Sequence, residues 1–279
     1  MTLRQLGSVP TRGHRIARGS AGPAIDADAA AWLARGASAN SSRANNVYKA
    51  LKAVGFTTSN AYADIKAAGG TIQLYKGLNS GGASIPDLTG NYNGVPAASP
   101  IFATATGYTL NGTSQSIDSG YRIAANTSSW FGIIFCNHVT FTNNDGLFSD
   151  ADAVTPAMTV FQRTGNIVRA TATKTDASTT TRDTVAAYST GIDYQHGIAI
   201  AANAMQPYSN VVSAEAFVAD NTSTSMSGVM LRAADGTIKL GRAGTAYGNI
   251  QVHGFIAAPL APTATQLQNL VDAMEVTIL

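Results

Sequence analysis

DLTGNYNGVPAASPIFATATGYTLNGTSQSIDSGY, residues Asp87–Tyr121, is the stretch on which the reading of the chain turns. It begins turn-rich, passes through a loop bounded by Pro96 and Pro100, and closes on two short segments around a tight turn. Gly107-Tyr108-Thr109-Leu110 leads into Asn111-Gly112, and Ser114-Gln115-Ser116-Ile117-Asp118 leads out. Asn-Gly between alternating segments is the strongest short-range hairpin signal, because both residues accept positive φ. The spacing therefore predicts a hairpin that sets the register of the strands downstream.

Beyond it, the apolar residues recur with period two. Ala157–Phe161, Asn166–Thr171, His196–Ile200, Ala214–Val218, Val229–Arg232, Thr237–Leu240 and Gly248–Ile256 alternate, with turn signals such as Thr164-Gly165-Asn166 and Asp235-Gly236 between them. Short strands at regular spacing predict a sandwich or barrel. Upstream, the period is helical. Asp26 or Asp28 is placed to cap a helix through Ala29–Ala34 that ends at Gly36. Ser41 or Ser42 precedes a second, Arg43–Val54, with Val47, Leu51 and Val54 on one stripe. A third runs from Ser59 to Ala67 and stops at Gly69-Gly70, after which Thr71–Tyr75 already alternates. Near the end, Thr263 caps Ala264–Met274, with Leu267, Leu270 and Val271 on one face. Residues 1–25 carry no period and read as an extended arm. The expected organisation is that arm, a small helical unit over 26–80, and a β domain over 81–279.

The chain has 279 residues, enough for one large sandwich with a small helical piece in front. Only 12% of residues are charged, about half the usual share. Ala, Ser, Thr, Asn and Gly fill the difference, which suits an extracellular β surface better than a cytosolic enzyme. The net charge of +2 is uneven: Arg4, Arg12, Arg15 and Arg18 precede the first acidic residue, Asp26, and removing their four charges leaves −2. Such asymmetry marks an interacting tail. Four arginines without interleaved aromatics are a thin footprint for nucleic acid, so an acidic protein surface is the partner expected there. The single cysteine, Cys136, sits in the apolar run from Trp130 and excludes an intramolecular disulfide; its reading is a small buried hydrophobe. No signal-peptide pattern and no run of 18 apolar residues is present, so neither ordinary secretion nor a membrane span is expected.

The segment Asp87-Leu88-Thr89-Gly90-Asn91-Tyr92-Asn93-Gly94, followed by Gly107–Ile117, resembles the opening strands of concanavalin A-like (laminin G-like) domains. Those domains carry D-x-[ST]-G-N-x-N-G and then F-[ND]-G-x-x-[SD]-x-[IV]. Gly254–Leu260 with the helix after Thr263 is similar to their closing strand and L-S-x-x-E helix, with Gln266-Leu267 departing at the acidic position. The resemblance covers about residues 87–279. It implies a mainly β jelly-roll sandwich of two antiparallel sheets. Trp32-Leu33-Ala34-Arg35 and Tyr48–Gly55 ahead of such a domain resemble bacteriophage structural proteins of the head-fibre, tail-fibre or decoration type.

One branch of that fold cleaves glycosides, using an E-x-D-x-x-E strand whose alternation sets carboxylates about 5–5.5 Å apart. The only glutamates here, Glu215 and Glu275, are far apart in sequence, so no enzyme activity is expected. Asn143, Asn144, Asp145, Asp150 and Asp152 gather hard oxygen ligands that favour calcium, with Asp145, Asp150 and Asp152 as its ligands. An ordinary Asx-rich turn is the other reading. His14, His138, His196 and His253 show no metal-ligand spacing, and no phosphate loop or G-x-S-x-G is present. Glycan binding calls for loop aromatics beside amides; Tyr92, Asn93, Tyr188 and Tyr208 are the candidates.

Together these readings give a non-enzymatic phage virion protein exposed on the particle surface. Arg4, Arg12, His14, Arg15 and Arg18 attach it to a major capsid or tail protein. It is expected as a homo-oligomer, a trimer by preference, with host glycan as a further partner and neither nucleic acid nor membrane. A free carbohydrate-binding module is the alternative, and a glycan-degrading enzyme the third.

Overall fold

The computed structural model describes residues 24–124, 127–150, 156–201, 204–211, 218–226, 231, 234 and 236–278. Three helices come first: α1 (Ala27–Ala34), α2 (Ser41–Ala53) and α3 (Ala61–Ala67). The strands come after them as β1 (Thr71–Leu74), β2 (Ile85–Pro86), β3 (Asn93–Ala97), β4 (Ile101–Ala103), β5 (Gly107–Thr109), β6 (Ser116–Asp118), β7 (Trp130–His138) and β8 (Gly146–Ser149). Next are β9 (Met158–Arg163), β10 (Ile167–Thr173), β11 (Thr179–Asp183), β12 (Asp193–Ala201), β13 (Ala204–Val211), β14 (Val218–Ala219) and β15 (Thr224–Ser225). The last are β16 (Lys239–Leu240), β17 (Arg242–Ala243), β18 (Ala246–Tyr247), β19 (Ile250–Ala258) and the closing helix α4 (Ala264–Ile278).

The strands form two large antiparallel sheets, and β17 and β18 pair separately as a two-stranded ribbon. One runs β14-β13-β12-β7-β19-β5-β4, with β1 also on β19 and β15 also on β13. The other runs β11-β10-β9-β8-β16-β6-β3-β2. They face each other as a sandwich, Phe148 of one packing on Phe255 of the other at 5.5 Å. This is the mainly β, jelly-roll-like architecture the sequence implies. The helices make a third layer on the outer face of the nine-stranded sheet, where Phe56 meets Phe131 edge-on at 5.9 Å. β7 is thus covered on both faces. That explains its continuous apolar run from Trp130 to Cys136, where a half-exposed strand would alternate. β9, in the other sheet, does alternate.

The helix starts obey capping chemistry. Asp26 caps α1, its carboxylate accepting from Asp28 N and Ala29 N. Asn40 caps α2, ahead of the serines the sequence singles out, and Asn60 caps α3. At α4, Thr263 N donates to Gln266 Oε1 at 2.7 Å while Gln266 N donates to Thr263 Oγ1 at 3.2 Å. Gln266 therefore closes a capping box in place of the expected acid. Its amide also reaches Phe56 O, tying α4 to the segment after α2. No helix among the described residues is long and apolar enough to cross a membrane.

The expected hairpin at Asn111-Gly112 is corrected. β5 pairs with β4 and β19, whereas β6 pairs with β3 and β16, so Asn111-Gly112 carries the chain from one sheet to the other. Asn111 Oδ1 accepts from Thr113 N, Ser114 N and Gln115 N, which curls the link out of the plane of either sheet. The hairpin in this stretch is β4–β5, Ile101–Ala103 against Gly107–Thr109. β1, inside the 26–80 segment, is a strand of the nine-stranded sheet.

Asp87 stitches the layers together. Its fully buried carboxylate accepts from Thr71 Oγ1 at 3.0 Å, Thr89 Oγ1 at 2.5 Å, Gly90 N at 2.7 Å and Tyr92 N at 3.3 Å. The carbonyls around it accept from the helices: Pro86 O from Trp32 Nε1, Asp87 O from Arg35 Nη2 and Leu88 O from Tyr48 Oη, at 2.9, 2.7 and 2.6 Å. Removing a charged acceptor strands its buried donors, so Asp87→Ala is expected to cost about 3 kcal/mol or more in denaturant unfolding. A loss below about 1 kcal/mol, the size of one ordinary hydrogen bond, would show that Asp87 is not such a junction.

Candidate functional site

The sandwich leaves an open groove of about 470 Å³ at one end, where β4 of one sheet approaches β3 of the other. Phe102 and Tyr108 form its aromatic wall, ring centroids 5.1 Å apart and edge-to-face. Tyr108 Oη accepts from Gly82 N at 2.9 Å and lies 3.1 Å from Gly82 O, so the ring is fixed to the facing loop. Burial pushes the Tyr108 phenol up despite its bond to Gly82. Gly81 admits these rings: a Cβ there would stand 2.8 Å from Phe102 Cβ and 2.9 Å from Tyr108 Oη. The opposite wall is Pro96, Ala98, Ser99 and Pro100.

Ala98 and Ser99 are consecutive non-glycine residues with φ of 58° and 51°. Backbone of this kind costs about 1–3 kcal/mol per residue and persists only where the surroundings impose it. Here Gln115 Nε2 donates to both Ala98 O and Ser99 O at 3.1 Å. Beside them Ile101 is 72% exposed. An apolar face, a glycine floor and backbone polar groups on a rigid rim can take a flat ligand that is apolar on one face and hydroxylated at its edge.

The tyrosines chosen from sequence do not share a surface. Tyr92 is half-buried, with its hydroxyl on Gly69 O at 3.1 Å and its ring edge-on to Tyr121. Asn93 is exposed on β3. Tyr188 and Tyr208 are buried at the β13 side of the other sheet, Tyr188 with its hydroxyl on Asp220. Tyr208 is corrected from a loop to strand β13, and Tyr188, in the β11–β12 connection as expected, is buried where the glycan reading needs it exposed. Phe102 and Tyr108 escape a reading of the sequence because Ile101-Phe102-Ala103 has no turn signal and no amide neighbour along the chain.

The expected calcium ligands are also separated. Asp145 precedes β8 and Asp150 comes after it, and Asp150 is buried with its oxygens on Ala157 N and Met158 N, at 2.8 and 3.1 Å. Two carboxylates at opposite ends of a strand cannot share an ion. Asp152 and the arm residues Arg4, Arg12, His14, Arg15 and Arg18 lie outside the described residues.

The histidines converge, against the sequence reading. His138 Nε2 and His196 Nε2 are 2.8 Å apart between the sheets. His138 Nδ1 meets Gln162 Nε2 at 2.9 Å, and His196 Nδ1 meets Ser209 Oγ at 2.6 Å. An amide nitrogen only donates, which fixes the order of protons. Gln162 donates to His138 Nδ1, His138 Nε2–H to His196 Nε2, His196 Nδ1–H to Ser209 Oγ, and Ser209 to Gln195 O at 3.2 Å. Cys136 lies beside them, and Cys136, His138 and His196 are the group among the described residues whose donor atoms fall within 4.8 Å of one another. Burial lowers His138 to about 3 and pushes the Cys136 thiol well up. Burial, and then His138, holds His196 well below its ordinary value. His253, in a β-bulge of β19, has no hydrogen bond at either ring nitrogen and stands 3.7 Å from Asp193. Burial lowers it to about 4, against the pull of Asp193.

No family model and no curated protein matches the sequence. Solved structures do. The chain is similar to Trypanosoma rangeli sialidase in complex with sialic acid, at 11% identity and a TM-score of 0.54, over 83% of this chain and 37% of that one. It is similar to the botulinum neurotoxin serotype D binding domain, at 11% identity and a TM-score of 0.54, over 77% of this chain and 52% of that one. It is similar to an α-L-arabinofuranosidase soaked with a cyclic sulfate inhibitor, at 8% identity and a TM-score of 0.50, over 70% of this chain and 50% of that one. The chain thus spans well under half the length of the sialidase and about half of the other two. At such identities the likeness shows the fold, a β-sandwich. It overturns one expectation. The sequence predicts no enzyme, yet sialidases and an arabinofuranosidase are prominent among chains of this fold. Lack of E-x-D-x-x-E excludes one arrangement of carboxylates only, and the exclusion of activity falls with it.

The buried histidines carry a pH prediction. Each is neutral in the fold, while the unfolded chain takes up protons around pH 6.5. Below that the unfolded state binds more protons, so stability falls as pH drops from about 6.5 towards 4, by up to about 1.4 kcal/mol per pH unit for each histidine. His253→Phe keeps the ring shape and removes one of these protons, so its unfolding free energy is expected to fall less steeply over that window. Stability flat from pH 7 to 4.5 in the parent chain would refute this.

Proposed function

We propose that the chain is a glycan-binding β-sandwich displayed on the surface of a phage particle, with the Phe102–Tyr108 groove as its sugar site. The groove carries the reading: the half-buried Phe102 ring backed by buried Tyr108, a glycine floor and a strained rim held by Gln115 match a pyranose ring stacked by its apolar face and hydrogen-bonded at its edge. The sialic acid complex of the sialidase and the arabinofuranosidase inhibitor complex support a glycan as the ligand class. A glycan array probed with the full chain is expected to give binding that Phe102→Ala weakens at least about ten-fold, the effect of about 1.4 kcal/mol lost from one stacking face. Phe102→Tyr is expected to restore it, and Tyr188→Phe, in the core, to leave it alone. Binding that survives Phe102→Ala unchanged would move the site elsewhere. Chromatography of the incubated glycans shows whether any bond is cleaved.

The particle setting rests on sequence: the arm with Arg4, Arg12, His14, Arg15 and Arg18 before the first acid, and the resemblance of the helical lead to phage structural proteins. The partner of the arm is a capsid or tail protein, and a trimer suits display around a symmetry axis. Deleting residues 2–25 is expected to leave a folded protein that no longer incorporates into particles. Normal incorporation of the deletion would remove the attachment role.

A further inference from the structure

Between the sheets, Cys136 and His138 lie two residues apart on β7 and so point to the same face, and His196 on β12 reaches the same point. All three are buried to 1% exposure or less. The ring nitrogens turned away from that point are held by Gln162 and Ser209. His196, donating Nδ1–H to Ser209 Oγ, already has the outer hydrogen bond a metal-ligating histidine needs, while His138 Nδ1 accepts from Gln162 and has to exchange that bond on binding. The surroundings exclude water. His138 stacks on Phe141 at 4.3 Å, His196 on Tyr194 at 5.5 Å, and Tyr188 stands edge-on to His196 at 4.7 Å.

We propose that Cys136 Sγ, His138 Nε2 and His196 Nε2 form a three-coordinate site for a cuprous ion, acquired as the chain folds. Three arguments select it. One thiolate and two imidazoles are soft and borderline donors, which suit Cu(I) or Zn(II) and not calcium or magnesium. Charge then separates the two candidates. A cuprous ion with one thiolate is neutral, whereas a zinc ion with one thiolate leaves a full positive charge in an apolar interior, at a cost to folding. The carboxylate that reaches Cys136 electrostatically, Asp193, is already paired with Lys76 at 2.9 Å. Coordination number agrees: the site offers three donors among the described residues, and zinc fills its fourth position with a water that this packing excludes.

The protons balance. Binding expels the thiol proton of Cys136 to solvent. The proton on His138 Nε2 moves to Nδ1 of the same ring, where Gln162 receives it by turning its amide so that Oε1 faces the ring, giving up its long 3.3 Å bond from Thr142 N. His196 keeps its Nδ1–H on Ser209 Oγ. Bonds of about 2.0 Å to each nitrogen at a trigonal or tetrahedral angle require the two Nε2 atoms to part from 2.8 Å to roughly 3.3–3.5 Å. A small rotation of each ring achieves this.

The test unfolds the full chain and refolds it without oxygen in the presence of a cuprous salt, a zinc salt or a chelator alone. Metal per folded chain is then measured after desalting. One copper per chain is expected, with a higher thermal midpoint than the chelator sample. Cys136→Ser and His196→Gln are each expected to cut retained copper about ten-fold or more. Copper held no better by the parent chain than by Cys136→Ser would overturn the site and leave the histidine pair as a polar core contact. Zinc held in preference to copper would overturn the choice of ion. Should both variants fail to refold, copper X-ray absorption of the parent chain decides. Sulfur and imidazole around the metal support the site, and oxygen and nitrogen alone overturn it.

Discussion

A buried carboxylate at Asp87 is the constraint on which the rest of the molecule depends. Burial holds its carboxyl above the usual range, and the donors from Thr89, Thr71, Tyr92 and Gly90 offset that only in part. A group so costly to bury survives only where its donors are in place. Those donors come from β1 and from the turn before β3, while the carbonyls on either side hold Trp32, Arg35 and Tyr48. One residue therefore fixes where the helical layer sits on the sheet and where the second sheet begins. Gly90, at φ +83°, makes the turn that lets the chain fold back onto that carboxylate.

Placing helices on the outer face has a consequence deeper inside. β7 becomes a strand with no wet face, so any polar residue on it must find its partners within the protein. Cys136 and His138 are on its inner face, and the sheet opposite answers with Gln162 on β9. The neighbouring strand answers with His196, and β13 with Ser209. The run Gln162–His138–His196–Ser209 is fully satisfied, which is the condition under which a buried polar network specifies packing. His253 breaks that rule, with neither ring nitrogen bonded. It sits where β19 shifts register between Val252 and Gly254, and its carbonyl takes Tyr75 N and Lys76 N. The backbone bonds at the bulge hold the residue there, not its side chain.

Much of this architecture is legible in the sequence, and the pattern of what is not is informative. Helix positions and the longer alternating strands, such as β9, β10, β12 and β19, come from local chemistry: capping residues, period, and turn formers. Counting short strands narrows the fold to a sandwich or barrel, and the two sheets come from the resemblance of Asp87–Ile117 to concanavalin A-like domains. What escapes is long-range. Asn111-Gly112 has the local signature of a hairpin, yet the strands on either side belong to different sheets, because membership is decided by β19 and β16 far downstream. The histidines show no spacing that reveals a pair, since His138 and His196 meet only through the β7–β12 register. Tyr188 is the loop residue its sequence suggests, but Asp220 and the neighbouring rings bury it.

The groove differs in kind from these core features. A sandwich shared at 8–11% identity with a sialidase, a toxin domain and an arabinofuranosidase constrains hydrophobic pattern far more than residue identity. Whatever separates their roles must lie where the fold is permissive, on the connections between strands. The Asn111 turn is one such connection, compact and with its polar atoms bound to its own backbone. The Ala98–Ser99 turn is another kind: it keeps two consecutive residues in a conformation they disfavour and needs a side chain from elsewhere, Gln115, to hold it. A relaxed loop of ordinary φ would join β3 to β4 at lower cost. The strained one stands opposite Gly81 and beside Phe102, with Ile101 left to solvent, so the cost is placed at the rim of the groove and not in the packing of the core.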